Sequence, residues 1–242
     1  MAPVMALSIE FFGSGTGVEN ASLSSSALFI ITNDILTITL TNTATNDNTD
    51  SNKDVPGNTL TGLKFDWTDN LPLNPESVTI SPGSIVQGNQ CDIGLCDGST
   101  TNVGDEFAFN TNIGGFEYAV SSVGWIGTSS GNFNGSNLDG TNAPGGINFL
   151  IISNDSSFLP NGGLASDPLI RNSVAFNVSG ATGLPVLDIS NVRFQYGTNL
   201  TEPMFPETDE KVVPEPITIL LFGKNLAGML AWRGRHSRPE RA

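Results

Sequence analysis

Residues 35–41 read ILTITLT, with Leu36, Ile38 and Leu40 alternating against Thr37, Thr39 and Thr41. An extended chain sends successive side chains to opposite faces, so this stretch predicts a half-buried strand with a threonine face toward water. LKFDW (63–67) alternates the same way, with Leu63, Phe65 and Trp67 against Lys64 and Asp66. SVAFNV (173–178) and NVRFQY (191–196) repeat the pattern, while INFLIIS (147–153) is apolar on both faces and predicts a central strand. SIEFF (8–12), SVTIS (77–81), DEFAFN (105–110) and FEYAV (116–120) are weaker strand candidates. The stretches between them are built from Gly, Asn, Asp, Ser and Pro: residues 42–58, 81–83, 91–104, 127–146 and 159–168. Those residue types supply positive φ and side-chain-capped turns cheaply, so they read as loops. About nine short strands, with no helical stripe longer than two turns, predict an all-β antiparallel β-sandwich, jelly-roll-like or immunoglobulin-like.

The chain has 242 residues, enough for one such domain of about 200 residues plus terminal segments. Its net charge is −14, from 10 Lys and Arg against 24 Asp and Glu. Five of the basic residues lie beyond Pro216, so residues 1–213 hold 5 basic and 22 acidic side chains. Such a body repels nucleic-acid phosphates and anionic lipid headgroups, and suits divalent cations or neutral glycans. The one histidine is His236, in the basic tail, so the body holds no Ser-His-Asp or Cys-His arrangement and no histidine-based metal hydrolase. No GxSxG, P-loop or strand-linked GxGxxG occurs. The reading is therefore of a protein that is not an enzyme. A glycan hydrolase, with Asp105 or Glu106 paired to Glu117 across a hairpin, is the third-ranked alternative.

Cys91 and Cys96, in CDIGLC, are the only cysteines. An even count at short spacing in an exported chain predicts a disulfide. A metal site and a redox pair are the competing readings; the first lacks further Cys or His, and the second has four intervening residues where two are usual. No cofactor is called for, although calcium is a candidate. In NDNTDSNKD, oxygen-bearing side chains recur at Asn46, Asn48, Asp50, Asn52 and Asp54, the ligand type that hard cations take. The Gly and Glu that complete an EF-hand loop are missing, and hydrated loops are the competing reading. NLDGTN, around Asp139, is a second loop of this kind.

At the C-terminus, Val213-Pro214-Glu215-Pro216 precedes a mostly apolar run from Ile217 to Trp232, followed by Arg233, Arg235 and Arg238. Prolines are tolerated in a first helical turn and little beyond it, so a helix is predicted to start here. Sixteen residues of helix span about 24 Å at roughly 1.5 Å per residue. The arginines favour a cytoplasmic end, which sends the body across the membrane. A buried amphipathic helix is the competing reading, and it accounts for neither the prolines nor the arginines.

The order VPEP, apolar segment, arginine-rich terminus resembles the PEP-CTERM sorting signal of bacterial exported proteins, which membrane enzymes called exosortases recognise. LDGTNAPGGINFLIIS and SNVRFQYGTNLTEP resemble the bodies of cyanobacterial-type proteins that carry this signal. The resemblance implies export, transient holding at the inner membrane by the apolar helix, processing near the motif by an exosortase, and release to the cell surface or extracellular matrix. An export leader is then expected. Val4-Met5-Ala6 resembles the cleavage end of one, so residues 1–6 are read as its remnant, with the true start upstream. Residues 7–205 are read as the β domain, 206–213 as a linker and 214–242 as the sorting signal. The functional expectation is a structural or adhesive surface protein whose partners are extracellular polysaccharide or other surface proteins. The alternative is a carbohydrate-binding module for exopolysaccharide, with calcium as its candidate cofactor and Tyr118, Trp125 and Phe133 as candidate contact aromatics.

Overall fold

The computed structural model describes residues 8–18, 21–45, 56–67, 72–87, 102–122, 136–138, 149–155, 168–198, 202 and 204–213. Those residues are all-β: fourteen strands, three short 3-10 turns and no α-helix. The strands are β1 (Ser8–Thr16), β2 (Ser22–Thr32), β3 (Ile35–Asn42), β4 (Leu60–Trp67), β5 (Asn74–Ile80), β6 (Ile85–Gln87) and β7 (Ala108–Ile113). They continue as β8 (Phe116–Ser121), β9 (Ser136–Asn137), β10 (Leu150–Ile152), β11 (Leu169–Arg171), β12 (Ser173–Ser179), β13 (Ile189–Tyr196) and β14 (Met204–Val213).

They form one hydrogen-bonded run, β5-β12-β3-β2-β1-β14-β13-β4-β10-β11-β6, with β8, β7 and β9 branching from β4. All pairs are antiparallel except β10–β11. ILTITLT falls in β3, and its alternation is visible in burial: Leu36, Ile38 and Leu40 are fully buried, with Thr37, Thr39 and Thr41 partly exposed. LKFDW lies in β4, SVAFNV in β12 and NVRFQY in β13. Leu150, Ile151 and Ile152 of the two-sided apolar stretch form β10, buried between β4 and β11.

The run curls on itself, because rings from its two arms meet in a single core. Phe11 of β1 packs edge-on to Phe29 of β2, Phe29 edge-on to Phe65 of β4, and Phe65 stacks on Tyr118 of β8. Phe107 and Phe176 make a second crossing at 5.2 Å between centroids. The curl has identifiable corners. β14 gives Met204–Pro206 to β13 and Glu207–Val213 to β1, with a register shift opposite Phe12 and Gly13. β11 and β12 are one strand bent at Asn172, whose φ is +91°. Opposite that bend, the turn Ser81–Ser84 carries the chain from β5 to β6, and Ser84 Oγ accepts the Ser173 N–H at 3.1 Å. On the far edge, Val103 N–H reaches Val78 O at 2.9 Å.

Three features depart from the expectation. β2 is an eleven-residue strand in the serine-rich stretch SLSSSALFIIT, its inner face Leu23, Ser25, Ala27 and Phe29. β1 runs on through Gly13 and Gly15, which face two aromatic rings. A Cβ on Gly13 would lie 2.2 Å from the Phe194 ring, and one on Gly15 would lie 1.9 Å from the Phe205 ring. Only glycine lets those rings lie over β1, the arrangement known to stabilise glycine in sheets. Residues 206–213, expected as a linker, are the larger part of β14. Six backbone positions pair there with β1, and Ser8 Oγ donates to Val213 O at 2.8 Å. Both ends of the body therefore leave side by side.

Candidate functional site

The threonine file of β3 continues past the strand. From Thr37 to Thr45 every second residue is threonine, and Thr43 and Thr45 are exposed while Asn42 and Ala44 stay buried. Thr43 N–H still pairs with Ser24 O at 2.9 Å, so the file remains attached to β2 as it leaves the sheet. It ends in an open cleft of about 340 Å³, whose rim is Thr41, Thr43, Thr45, Asn154, Asp155 and Asn172.

The floor of the cleft is fixed by hydrogen bonds between segments distant in sequence. Asn42 Nδ2 donates to Ile151 O at 3.0 Å, and Asn42 Oδ1 accepts from Ala44 N–H at 3.1 Å. Ser153 Oγ donates to Ala44 O and accepts from Asp155 N–H. Arg171 Nη1 donates to Ser153 O at 3.0 Å and to Asp155 O, which engages this guanidinium with backbone carbonyls. Asn42 and Ser153 are both 2% exposed. A satisfied, buried polar floor of this kind holds its rim in one geometry. Among the described residues it presents to solvent hydroxyl and amide groups, which both donate and accept, with one carboxylate, Asp155.

The remaining predicted residues fall as follows. Val213 is the last residue of β14, while Pro214, Glu215, Pro216 and residues 217–242 lie outside the described residues. So do Cys91 and Cys96, the loop Asn46–Asp54, Asp139, Trp125 and Phe133. Among the described residues no group of three or more His, Cys, Asp or Glu is placed to hold a metal ion, and no helix is long and apolar enough to cross a membrane. Tyr118 is 1% exposed and stacked on Phe65, so it is a core residue and offers no surface to a glycan. The Asp105 side chain lies outside the described residues, and Glu106 is separated from Glu117 by the length of the β7–β8 hairpin. Ala108, just after the 3-10 turn Gly104–Glu106, pairs with Ser121, whereas Glu117 lies by the hairpin turn beside Tyr118, which pairs with Thr111. That is on the order of 15 Å of strand, beyond the roughly 5–10 Å that glycosidase carboxylates span.

Glu117 is instead bound to Asp66. The Glu117 N–H donates to Asp66 Oδ1 at 3.0 Å, Trp67 N–H donates to Glu117 Oε2 at 2.7 Å, and Asn191 Nδ2 donates to Asp66 Oδ2 at 2.7 Å. Arg193 Nε donates to Asn191 Oδ1, and Lys64 lies over the Phe116 ring at 5.7 Å. Burial lowers the Lys64 amine below its ordinary pKa. These charged side chains hold backbone N–H groups, the Asn191 amide and the Phe116 ring across β13, β4 and β8, so they are a structural clasp.

The cleft residues were missed because Thr43 and Thr45 open a loop rich in Asn and Asp, and Ser153–Asp155 closes an apolar strand. The unbroken alternation Thr41-Asn42-Thr43-Ala44-Thr45 is the signal that extends the strand face into the site. Compared with known proteins, the chain matches no family model, no curated protein and no solved structure.

Proposed function

We propose that this is an exported surface or extracellular-matrix protein of structural or adhesive type, held at the inner membrane by its C-terminal segment and processed at the Val213–Pro216 motif by an exosortase. The observation that carries the reading is the order of that terminus: Val213-Pro214-Glu215-Pro216, the apolar run Ile217–Trp232, then Arg233, Arg235 and Arg238. The acidic body supports it, since a chain with 22 carboxylates before Pro214 stays soluble outside the membrane and is repelled by anionic headgroups. In this reading the curled sheet is a sandwich-like body, its two arms packed through the Phe29–Phe65 contact, and Cys91 and Cys96 are joined as a disulfide. The body has a structural role rather than a catalytic one, a reading supported by the absence of histidine before His236.

Mass spectrometry of the C-terminal peptide of the protein recovered from its host tests the processing. The expected peptide ends near Pro214–Pro216; an intact Arg241-Ala242 end on all mature molecules overturns the reading. Thiol labelling without reductant tests the disulfide, and modification of both cysteines would refute it.

A further inference from the structure

We propose that the cleft at the end of the threonine file binds a neutral polyhydroxyl ligand, a saccharide unit of an uncharged polysaccharide, at the end of the body farthest from its membrane attachment. The inference deepens the surface-protein reading and takes the orientation of the body from it; the chemistry of the cleft is independent of that reading.

The ladder register fixes the placement. Val213 pairs with Ser8, Ser8 with Ile30, and Ile30 with Thr37, so the chain leaves toward Pro214 at the level of Thr37. Thr45 lies eight residues further along the same file, about 26 Å away at roughly 3.3 Å per residue. A body attached through β14 therefore turns Thr43, Thr45 and Asn154 outward.

The chemistry fixes the ligand class. The Thr43 hydroxyl and the Asn154 amide are exposed and make no hydrogen bond among the described residues, while the groups beneath them are satisfied. Unengaged donors and acceptors on a preorganised floor match a ligand rich in hydroxyls. An anionic ligand is disfavoured by Asp155 and by the charge of the body, because Arg171 is already engaged. Among the described residues the cleft holds one carboxylate, Asp155, and no apolar side chain larger than Ala44. The volume of about 340 Å³ lies within the range of about 300–1,000 Å³ typical of small-ligand sites.

The test titrates the purified full chain, in detergent, with neutral gluco-, manno-, galacto- and xylo-oligosaccharides, with alginate oligomers as the anionic control. Saturable binding to at least one neutral series is expected, weakened tenfold or more by Thr43→Ala combined with Asn154→Ala. Thr39→Ala, on the same file but outside the cleft, should change affinity less than twofold. Asn154→Arg, which fills the mouth of the cleft at an exposed position, gives an independent loss of binding. Failure of every neutral series, equal binding of alginate, or full binding by the cleft variants would overturn the inference. A chain cut at its motif that binds no saccharide defeats this inference alone, whereas one that binds saccharide but keeps its C-terminus defeats the processing reading alone.

Discussion

The outer faces of the two arms of the sheet are built from different residues. Across β1, β2, β3 and β12 the outward side chains are mainly Thr, Ser and Asn with Phe12, Leu28 and Ile30, and the charged Glu10 stands only on β1, beside Lys211 of β14. Across β13, β4 and β8 they include Arg193, Asp66 and Glu117, linked through Asn191, and Lys64 over the Phe116 ring. The ladders explain the difference. β1–β2, β2–β3 and β3–β12 pair without a register shift, so alternation of apolar and polar residues suffices to hold them. β13–β4 shifts register twice, and Asn191 sits in the first shift with φ +51°. A bulged strand has lost part of its ladder, and there the side chains pin it. An uncharged face is thus available for contact only where the backbone needs no help.

The sharpest way to break this contrast is at the strand where the two arms join. Gly13→Val would drive a side chain into the Phe194 ring and is expected to cost about 3 kcal/mol, read as a fall in the urea midpoint. Phe194→Leu in the same chain should recover part of that loss, since the two side chains compete for one space. Additive losses would show that the ring does not set the requirement for glycine.

Next in size is the clasp itself. Asp66→Ala leaves the Glu117 N–H and the Asn191 amide without their acceptor in a half-buried site, and about 2–3 kcal/mol is expected, measured by urea unfolding. A loss below 0.5 kcal/mol would mean that the bulge holds without charged side chains, and the contrast between the faces would have no structural basis.

A smaller, pH-dependent effect comes from beneath the faces. Tyr196 is 1% exposed, and its buried hydroxyl neighbours Ser25 Oγ, with no well-formed hydrogen bond to either. Burial raises its pKa, so above the ordinary tyrosine value of 10.0 the unfolded chain releases a proton that the folded chain keeps, and stability falls with rising pH. Lys64 acts in the opposite sense: its lowered pKa makes stability rise with pH until the unfolded amine titrates near 10.5. Tyr196→Phe should change neutral-pH stability by less than about 1 kcal/mol and remove the fall above pH 10 in thermal melts. An unchanged alkaline fall would assign it to another group.

Much of this architecture is legible in the sequence where alternation is clean. β3, β4, β12 and β13 announce themselves through apolar residues at every second position, and the all-β class follows from them. What alternation hides is residues whose strand role depends on a partner. Gly13 and Gly15 look like loop residues until the rings of Phe194 and Phe205, some 180–190 positions away, are placed over them. Ser22 to Ser26 carry little strand preference of their own, although Leu23 and Phe29 mark the buried face. Residues 206–213 look like a charged linker, and their charges are those of an edge: Asp209, Glu210 and Lys211 line a strand bonded on one side to β1, where charge discourages pairing with another chain. The cleft depends on Ser153–Asp155 and Asn172 meeting Thr41–Thr45, and local pattern carries no trace of that meeting.

The smallest expected effect tests the uncharged face most directly. Thr39 stands at the centre of the file, between Leu28 of β2 and Ala175 of β12, with no partner that its hydroxyl must keep among the described residues. If alternation alone holds β3, Thr39→Ala loses only strand preference and a little cross-strand contact, and about 0.5 kcal/mol or less is expected by urea unfolding. Thr37 provides the internal standard, because its Oγ1 donates to Asn177 Oδ1 at 2.9 Å beside the β12–β5 register shift between Asn177 and Val178. Thr37→Ala should cost about 1 kcal/mol, more than Thr39→Ala and less than Asp66→Ala. That ranking follows from where the ladder is broken: intact at Thr39, shifted once nearby at Thr37, shifted at Asp66 itself. Equal costs at Thr37 and Thr39 would mean that the threonines are interchangeable surface residues, and that bulges in this arm are tolerated without side-chain support.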